Sequence, residues 1–414
     1  MTTAHPLRAG TAHQSRSVAG HLAAVTALLA PLAAESRAEV LPLRAALGRA
    51  LVHDIVAPVS LPPFANSQMD GYAVRSADLH DGGTDLRVAP PVPAGSRPPA
   101  LLTGTAAPIM TGAMLPDGAD AVVPIERAVP DSFPAAGSEA SVTLPAVPAG
   151  TFVRPAGSDI VAGGRALAAR THLGPAQLGL LAALGRADVE VFKAVTVLLV
   201  TTGDEVVEPG RELPDGKIYD ANGTLLEAAM AEAGIDVRRT GISTDEPGEL
   251  RKLLRATSTE ADLIVTTGGV SKGAYEVVRQ AMEDQPVDFL HVAMQPGGPQ
   301  GIGTFDGVPF LGFPGNPVSC LVSFEMFLRP ALSALLGAPA PRAPLRARLG
   351  HGLTSPERKH QVRRGNLQPD GTVRLEGGEG SHLVHALAGS NALVHVPEGV
   401  TELAAGDEVE VWML

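Results

Sequence analysis

The stretch LIVTTGGVSKG, residues 263–273, decides the fold class. Leu263, Ile264 and Val265 form an apolar run without polar alternation, which suits a strand covered on both faces, as in a parallel sheet. After Thr266 and Thr267, Gly268-Gly269 lets the backbone turn sharply ahead of a helix predicted to start near Ser271. Such a loop brings backbone N–H groups close to a ligand, and a helix start favours an anion, typically a phosphate. An ordinary strand-to-helix turn needs the same glycines. What separates the two readings is that the neighbouring segments repeat the arrangement.

Outward from this stretch, residues 191–336 alternate strand and helix. Strand 195–200 runs into Thr201-Thr202-Gly203-Asp204-Glu205. Asp220 and Asn222 are N-cap candidates for a helix over 223–233, which Gly234 ends. Strand 237–242 leads to Asp245, and Pro247 starts an amphipathic helix reaching Ala256. Beyond the glycine loop come a helix over 275–282, an extended segment over 287–292 and a glycine-rich hairpin-like element, MQPGGPQGIGTF. Strand 308–313 enters Pro314-Gly315-Asn316, which opens an apolar helix through Phe327. Short connections between alternating elements mean a doubly wound sheet, whose ligands gather outside the carboxyl ends of the strands. Glu205, Asp245, Gly268-Gly269 and Pro314–Asn316 all fall at such ends.

The flanking regions read differently. Val18, Leu22, Val25 and Leu29 mark one face of a helix that Pro31 ends, and a second helical stretch is expected after Pro42, broken near Gly48. Pro58, Pro62 and Pro63 force extended structure before a turn-prone cluster, Asn66, Ser67, Asp70 and Gly71, and a strand over 72–74. Residues 78–148 read as a small all-β module with strands over 86–88, 121–125 and 142–144, and tight turns at Thr111-Gly112 and Pro116–Gly118. Arg154 follows beside a Pro-Ala-Gly turn, then a helix over 175–184 with Pro175 in its first turn and Gly185 past its end. From Pro339 the chain is β-rich again, with a basic turn at Arg363-Arg364-Gly365, and reads as a small separate β-barrel or sandwich.

Composition narrows the function. A chain of 414 residues, 45% apolar and 18% charged, is globular and holds about two to four domains. Its net charge of −12 and the lack of a basic stripe argue against nucleic acid as the main partner. The single cysteine, Cys320, excludes a disulfide framework within the chain and fits a reducing, cytoplasmic setting. No apolar run is expected to span a membrane, and residues 1–17 read as a disordered leader. Carboxylates beside glycine loops point to Mg²⁺ or another hard cation carried with a phosphorylated ligand. No Ser-His-Asp, Cys-His or metal-spaced histidine set has local support. From the residues alone, the chain is a multidomain α/β protein binding a phosphorylated, metal-associated small molecule; no reaction follows.

Seven strings occur in one order: MDGYAV (69–74), IMTGA (109–113), VRPAGSDI (153–160), TTGDE (201–205), IYDAN (218–222), TTGGVS (266–271) and FPGNPVS (313–319). Together they resemble the molybdopterin molybdenumtransferase family, to which the C-terminal domain of gephyrin also belongs. The resemblance implies a multidomain fold of α/β plus β type. Its parts would be a discontinuous N-terminal helical and dimerisation domain (18–58 and 150–190) and an inserted β module (59–149). A central molybdopterin-binding doubly wound α/β domain (191–336) and a C-terminal β-barrel (337–414) would follow. It implies a cytoplasmic homodimer that takes adenylylated molybdopterin and molybdate, releases AMP with the help of Mg²⁺, and works beside other molybdenum cofactor biosynthesis proteins, with no nucleic acid or membrane partner.

By position, the resemblance implies catalytic roles for Asp70, Thr111, Glu205 and Asp245, with Asp70 and Thr111 supplied by the other protomer and Glu205 and Asp245 holding the metal. Arg154, Gly268, Gly269, Ser271, Lys272, Glu276, Pro314, Gly315, Asn316, Arg364 and Ser381 match cofactor-holding positions. Two departures stand out. Glu276 replaces a shorter aspartate, and Gln295 and Gly298 stand where many members carry the lysines of K-P-G-K-P. Lys272 would then supply charge from another direction. The alternative reading is a non-catalytic paralogue that binds molybdopterin or serves as a scaffold. The related adenylyl-transfer step is a third reading, against which the β modules and MDGYAV weigh.

Overall fold

The computed structural model describes residues 15–135, 139–240, 245–271 and 276–414. They fall into two units, His53–Ala169 with Ala176–Ala187 forming one and the remaining described residues the other.

In the larger unit a six-stranded sheet runs in the order Asp236–Arg239, Thr196–Thr201, Leu263–Thr267, Val308–Phe313, Pro299–Phe305, Val287–His291. The first four strands are parallel, with Val197 opposite Leu263 and Ile264 opposite Phe310; the last two are antiparallel. All five residues of Leu263–Thr267 are buried, as an apolar run without alternation requires. Its side chains still divide by face. Leu263 and Val265, with Val197 and Leu199, enter one core; Ile264, with Leu198 and Val200, enters the other. Helices Ala221–Glu232 and Pro317–Ser323 cover the first face, and Pro247–Thr257 and Val277–Ala281 the second. The sheet is thus doubly wound with an antiparallel edge.

Helix Val18–Leu29 forms as expected, with the Ser17 hydroxyl accepting from the Gly20 N–H at 3.1 Å and a 3₁₀ turn at Ala30–Ala33 around Pro31. Its fully buried stripe is His21, Val25 and Leu29, with His21 edge-on to Phe327 at 4.6 Å between centroids. The second helix expected after Pro42 does not form. Ala38–Pro42 pairs with Asp188–Phe192 as an antiparallel strand, and only the short turn Leu43–Ala45 is helical. The Gly48 and Leu51 N–H groups then bond to the Leu173 and Thr171 carbonyls, which holds the chain out of a helix.

Pro317–Leu336 is one continuous 20-residue helix with a π turn at Phe324–Leu328. By length and hydropathy it could span a membrane, contrary to expectation, but 78% of its most apolar 18-residue stretch is buried inside the structure. It is a core helix carrying an ion network. The fully buried Glu325 carboxylate lies 3.0 Å from Arg329 and 3.0 Å from Arg342, and Glu232 reaches Arg342 at 3.1 Å.

The C-terminal strands close on themselves. His360–Leu367 pairs with both Thr372–Leu375 and Ala392–Val396, and Pro344–Leu349 and Glu408–Met413 complete a ring of five. This is a barrel and not a sandwich. The expected basic turn at Arg363-Arg364-Gly365 lies inside a strand. Gly365 is there for space: a Cβ would sit 2.8 Å from methyls of Val373 and Val394.

The smaller unit is built on a five-stranded sheet in the order Ala121–Pro124, Gly71–Val74, Thr105–Ile109, Thr84–Val88, Ser141–Leu144. The central Thr105–Ile109 strand was not anticipated, although all five of its residues are buried. Helix Pro175–Ala183 ends where Gly185 takes a left-handed φ of 78°.

Candidate active site

At the carboxyl ends of the parallel strands the larger unit opens a cleft of about 1060 Å³. Glu205, Asp245, Gly268, Gly269, Ser271, Glu276, Pro314, Gly315, Asn316 and Ser381 all line it. These residues come from five connections, four of which follow neighbouring strands of the sheet, while the fifth, with Ser381, comes from the C-terminal barrel.

The acidic side is built by two loops. Past Thr196–Thr201, Gly203 takes a φ of 134°, and a Cβ there would lie 2.7 Å from the Glu205 carboxylate. Glycine therefore makes room for Glu205 to fold back over the strand end. The next loop is clasped to the first. The Asp245 N–H donates to Asp204 Oδ1 at 3.0 Å, and the Asp204 N–H donates to Asp245 Oδ2 at 3.2 Å. Sequence reasoning passed over Asp204, whose partner lies 41 residues away. Residues 241–244 lie outside the described residues. Among the described residues, no group of three or more His, Cys, Asp or Glu is placed to hold a metal alone. The donor set of Glu205 and Asp245 fits a magnesium ion that takes its other oxygens from phosphate and water, the usual arrangement for that ion.

Opposite lie the glycine loops. Gly268 (φ 89°) donates its N–H to the Phe313 carbonyl at 3.1 Å, and a Cβ would press on Thr202 at 3.1 Å. Gly315 approaches within Cβ contact of Gly268, so the two loops touch through glycine backbones. Gly269 (φ 63°) packs on the helix behind it, where a Cβ would meet the Val278 nitrogen at 2.9 Å. That helix is Val277–Ala281 and does not begin near Ser271 as expected. The Ser271 N–H instead donates to the Glu276 carboxylate at 3.1 Å. Lys272 and the rest of 272–275 lie outside the described residues.

Asn222 was read only as a capping candidate, yet it lines the cleft. The cap is Asp220, which accepts from the Gly223 N–H at 2.9 Å and pairs with Arg239 at 2.7 Å. Asn222 Nδ2 donates to the Gly315 carbonyl at 2.6 Å, tying the helix start to the Pro314–Asn316 loop, and its Oδ1 has no partner among the described residues. From the barrel, the Ser381 carbonyl accepts from the Val318 N–H at 3.0 Å. Arg364 does not line the cleft. It is buried, and its guanidinium donates to the Gly378 and Gly380 carbonyls, holding the loop that carries Ser381.

Asp70, Thr111 and Arg154 belong to the smaller unit. Asp70 Oδ1 accepts from both the N–H and the hydroxyl of Thr111 at 2.7 Å. These two donors hold the exposed Asp70 carboxyl below the usual carboxylate range. Arg154 donates to the Asn66 side chain at 3.0 Å beside the short Asn66–Ser67 ladder.

Three family models cover the chain in order: "MoeA N-terminal region (domain I and II)" over residues 16–185, "Probable molybdopterin binding domain" over 198–334, and "MoeA C-terminal region (domain IV)" over 346–414. Molybdopterin molybdenumtransferase 2 of Mycobacterium tuberculosis is 44% identical over 388 residues, covering 90% of this chain and 94% of that protein. The chain belongs to the molybdopterin molybdenumtransferase family. The molybdopterin molybdenumtransferase of Haemophilus influenzae is 33% identical across 93% of this chain and 96% of its own length. Among solved structures, a molybdopterin biosynthesis protein from Pyrococcus horikoshii matches at 31% identity and a TM-score of 0.77, covering 97% of this chain and 99% of that one. Members of the molybdopterin molybdenumtransferase family are enzymes of molybdenum cofactor biosynthesis, and the described cleft lies in the region of the molybdopterin-binding model and its C-terminal neighbour.

Proposed function

We propose that this chain transfers molybdenum from molybdate onto adenylylated molybdopterin, releasing AMP, as a cytoplasmic homodimer. The observation that carries the reading is that one cleft gathers Glu205 and Asp245 with Gly268, Gly315 and Ser381. Glycine backbones let the two loops close on a phosphate-bearing ligand, and Asn222 fixes one of them. Glu205 and Asp245 would hold Mg²⁺, which when bound offsets charge on the phosphate oxygens as AMP leaves. Asp204 keeps Asp245 in place through its backbone. Asp70, kept ionised by Thr111, is an anionic acceptor offered by the second copy, with Arg154 of the same unit as a cationic group for the cofactor. The four-part division into 18–58 with 150–190, 59–149, 191–336 and 337–414 belongs to this reading.

The test is purified protein with adenylylated molybdopterin, Mg²⁺ and molybdate, following AMP. Molybdate-dependent AMP release that disappears on removing Mg²⁺ supports the proposal. Ligand binding without AMP release would sink it in favour of the non-catalytic paralogue, the reading that the uncharged Gln295 and Gly298 favour.

A further inference from the structure

Gly298 lines the cleft and has no left-handed φ, so its backbone does not require glycine. Its missing side chain has another consequence. A Cβ at 298 would lie 2.5 Å from Cε1 and 2.6 Å from Nε2 of His291, whose imidazole therefore occupies the space a side chain at 298 would need. The seat is fixed by the sheet: His291 pairs with Pro299 in the edge ladder, and the Val292 N–H donates to the Gly298 carbonyl at 2.7 Å. Gln295 cannot act as a charge here, and its amide is engaged by Glu379 and Gln361 at 3.3 Å each. The other basic side chains lining the cleft among the described residues are Lys359 and His382.

We infer that His291, seated on Gly298, is the residue through which this chain binds its tetrahedral oxyanion substrate. This rests on the proposed molybdenum transfer. The physical ground is the charge of the lining: Glu205, Asp220, Asp245, Glu276 and Glu379 repel a dianion, whereas an imidazole can donate an N–H to it. A glycine at 298 and a histidine at 291 thus act as one device, exchanging a long side chain on one strand for a ring from the next.

The experiment measures molybdate binding to the full-length protein by equilibrium dialysis, and the molybdate dependence of AMP release, in His291→Ala, His291→Gln, Gly298→Lys and the His291→Ala/Gly298→Lys double variant. Removing the imidazole should weaken molybdate about tenfold, the size of one charge-assisted contact, and raise the half-saturating molybdate far more than it lowers turnover at saturation. His291→Gln should be intermediate. In the Gly298→Lys background the same removal should cost little, because the lysine supplies the charge. Unchanged molybdate binding in both single histidine variants overturns the inference. So does a loss that Gly298→Lys fails to rescue and that follows a lowered melting temperature, since that is a packing role. If the unaltered protein neither binds molybdate nor releases AMP, the proposed function falls as well, an outcome distinct from failure of the variants alone.

Discussion

At the scale of single residues, the carboxylates at the strand ends separate into a pair that faces the cleft and one that steadies it. Glu205→Gln and Asp245→Asn keep size and remove charge. Each should lower AMP release by at least roughly tenfold, about 1.4 kcal/mol of lost transition-state stabilisation, with little change in melting temperature. Asp204→Ala should act differently. It removes the acceptor for the Asp245 N–H, so the Mg²⁺ concentration for half-maximal AMP release should rise while saturating Mg²⁺ restores most of the rate. Equal, Mg²⁺-independent losses in Asp204→Ala and Asp245→Asn would contradict this division. Gly269 behaves as structure: an alanine at φ 63° would press on the Val278 nitrogen, so Gly269→Ala should lower the melting temperature together with activity.

At the scale of elements, two buried groups set how the helices respond to change. Glu325 neutralises Arg329 and Arg342 inside the core. Glu325→Ala leaves the buried Arg329 and half-buried Arg342 guanidinium groups with only Glu232 as a carboxylate partner among the described residues and should cost about 3–5 kcal/mol, readable as a lower denaturation midpoint. His21, on the helix packed over Phe327, is pushed down to about 4 by burial first and then by Arg16. His395 in the barrel is pushed down to about 3 by burial first and then by His360. Both are neutral in the folded protein and gain a proton on unfolding once pH drops below the ordinary histidine value of 6.5. The unfolded state then binds more protons, so stability is full above about pH 6.5 and falls as pH drops toward 4. His21→Leu should flatten this slope, since its Nδ1 has no partner among the described residues to lose. A melting temperature equally steep in pH for His21→Leu and the unaltered protein would contradict the assignment.

At the scale of the whole molecule, the proposed sharing of Asp70 between copies predicts a dimer in sedimentation. Asp70→Ala and Glu205→Ala, each inactive, should partly restore AMP release when mixed and allowed to exchange subunits. A fully active monomer would rule the shared site out. Much of the architecture was legible in the residues themselves. The apolar run Leu263–Val265 required a strand covered on both faces, and Pro247, Pro175, Asp220 and Gly185 marked helix ends, because periodicity, fixed φ and capping are properties of a few neighbouring residues. Pairing across long separations was not legible. Only the ladder to Asp188–Phe192 makes Ala38–Pro42 a strand, only the barrel interior makes Gly365 a space-saving residue, and only the fold brings Asp204 to Asp245. The same holds for Arg364, drawn inside to hold a loop, and for His291, set on Gly298 by an edge strand. Each depends on which distant backbone supplies the neighbouring hydrogen bonds and the free volume, and the local sequence carries no record of either.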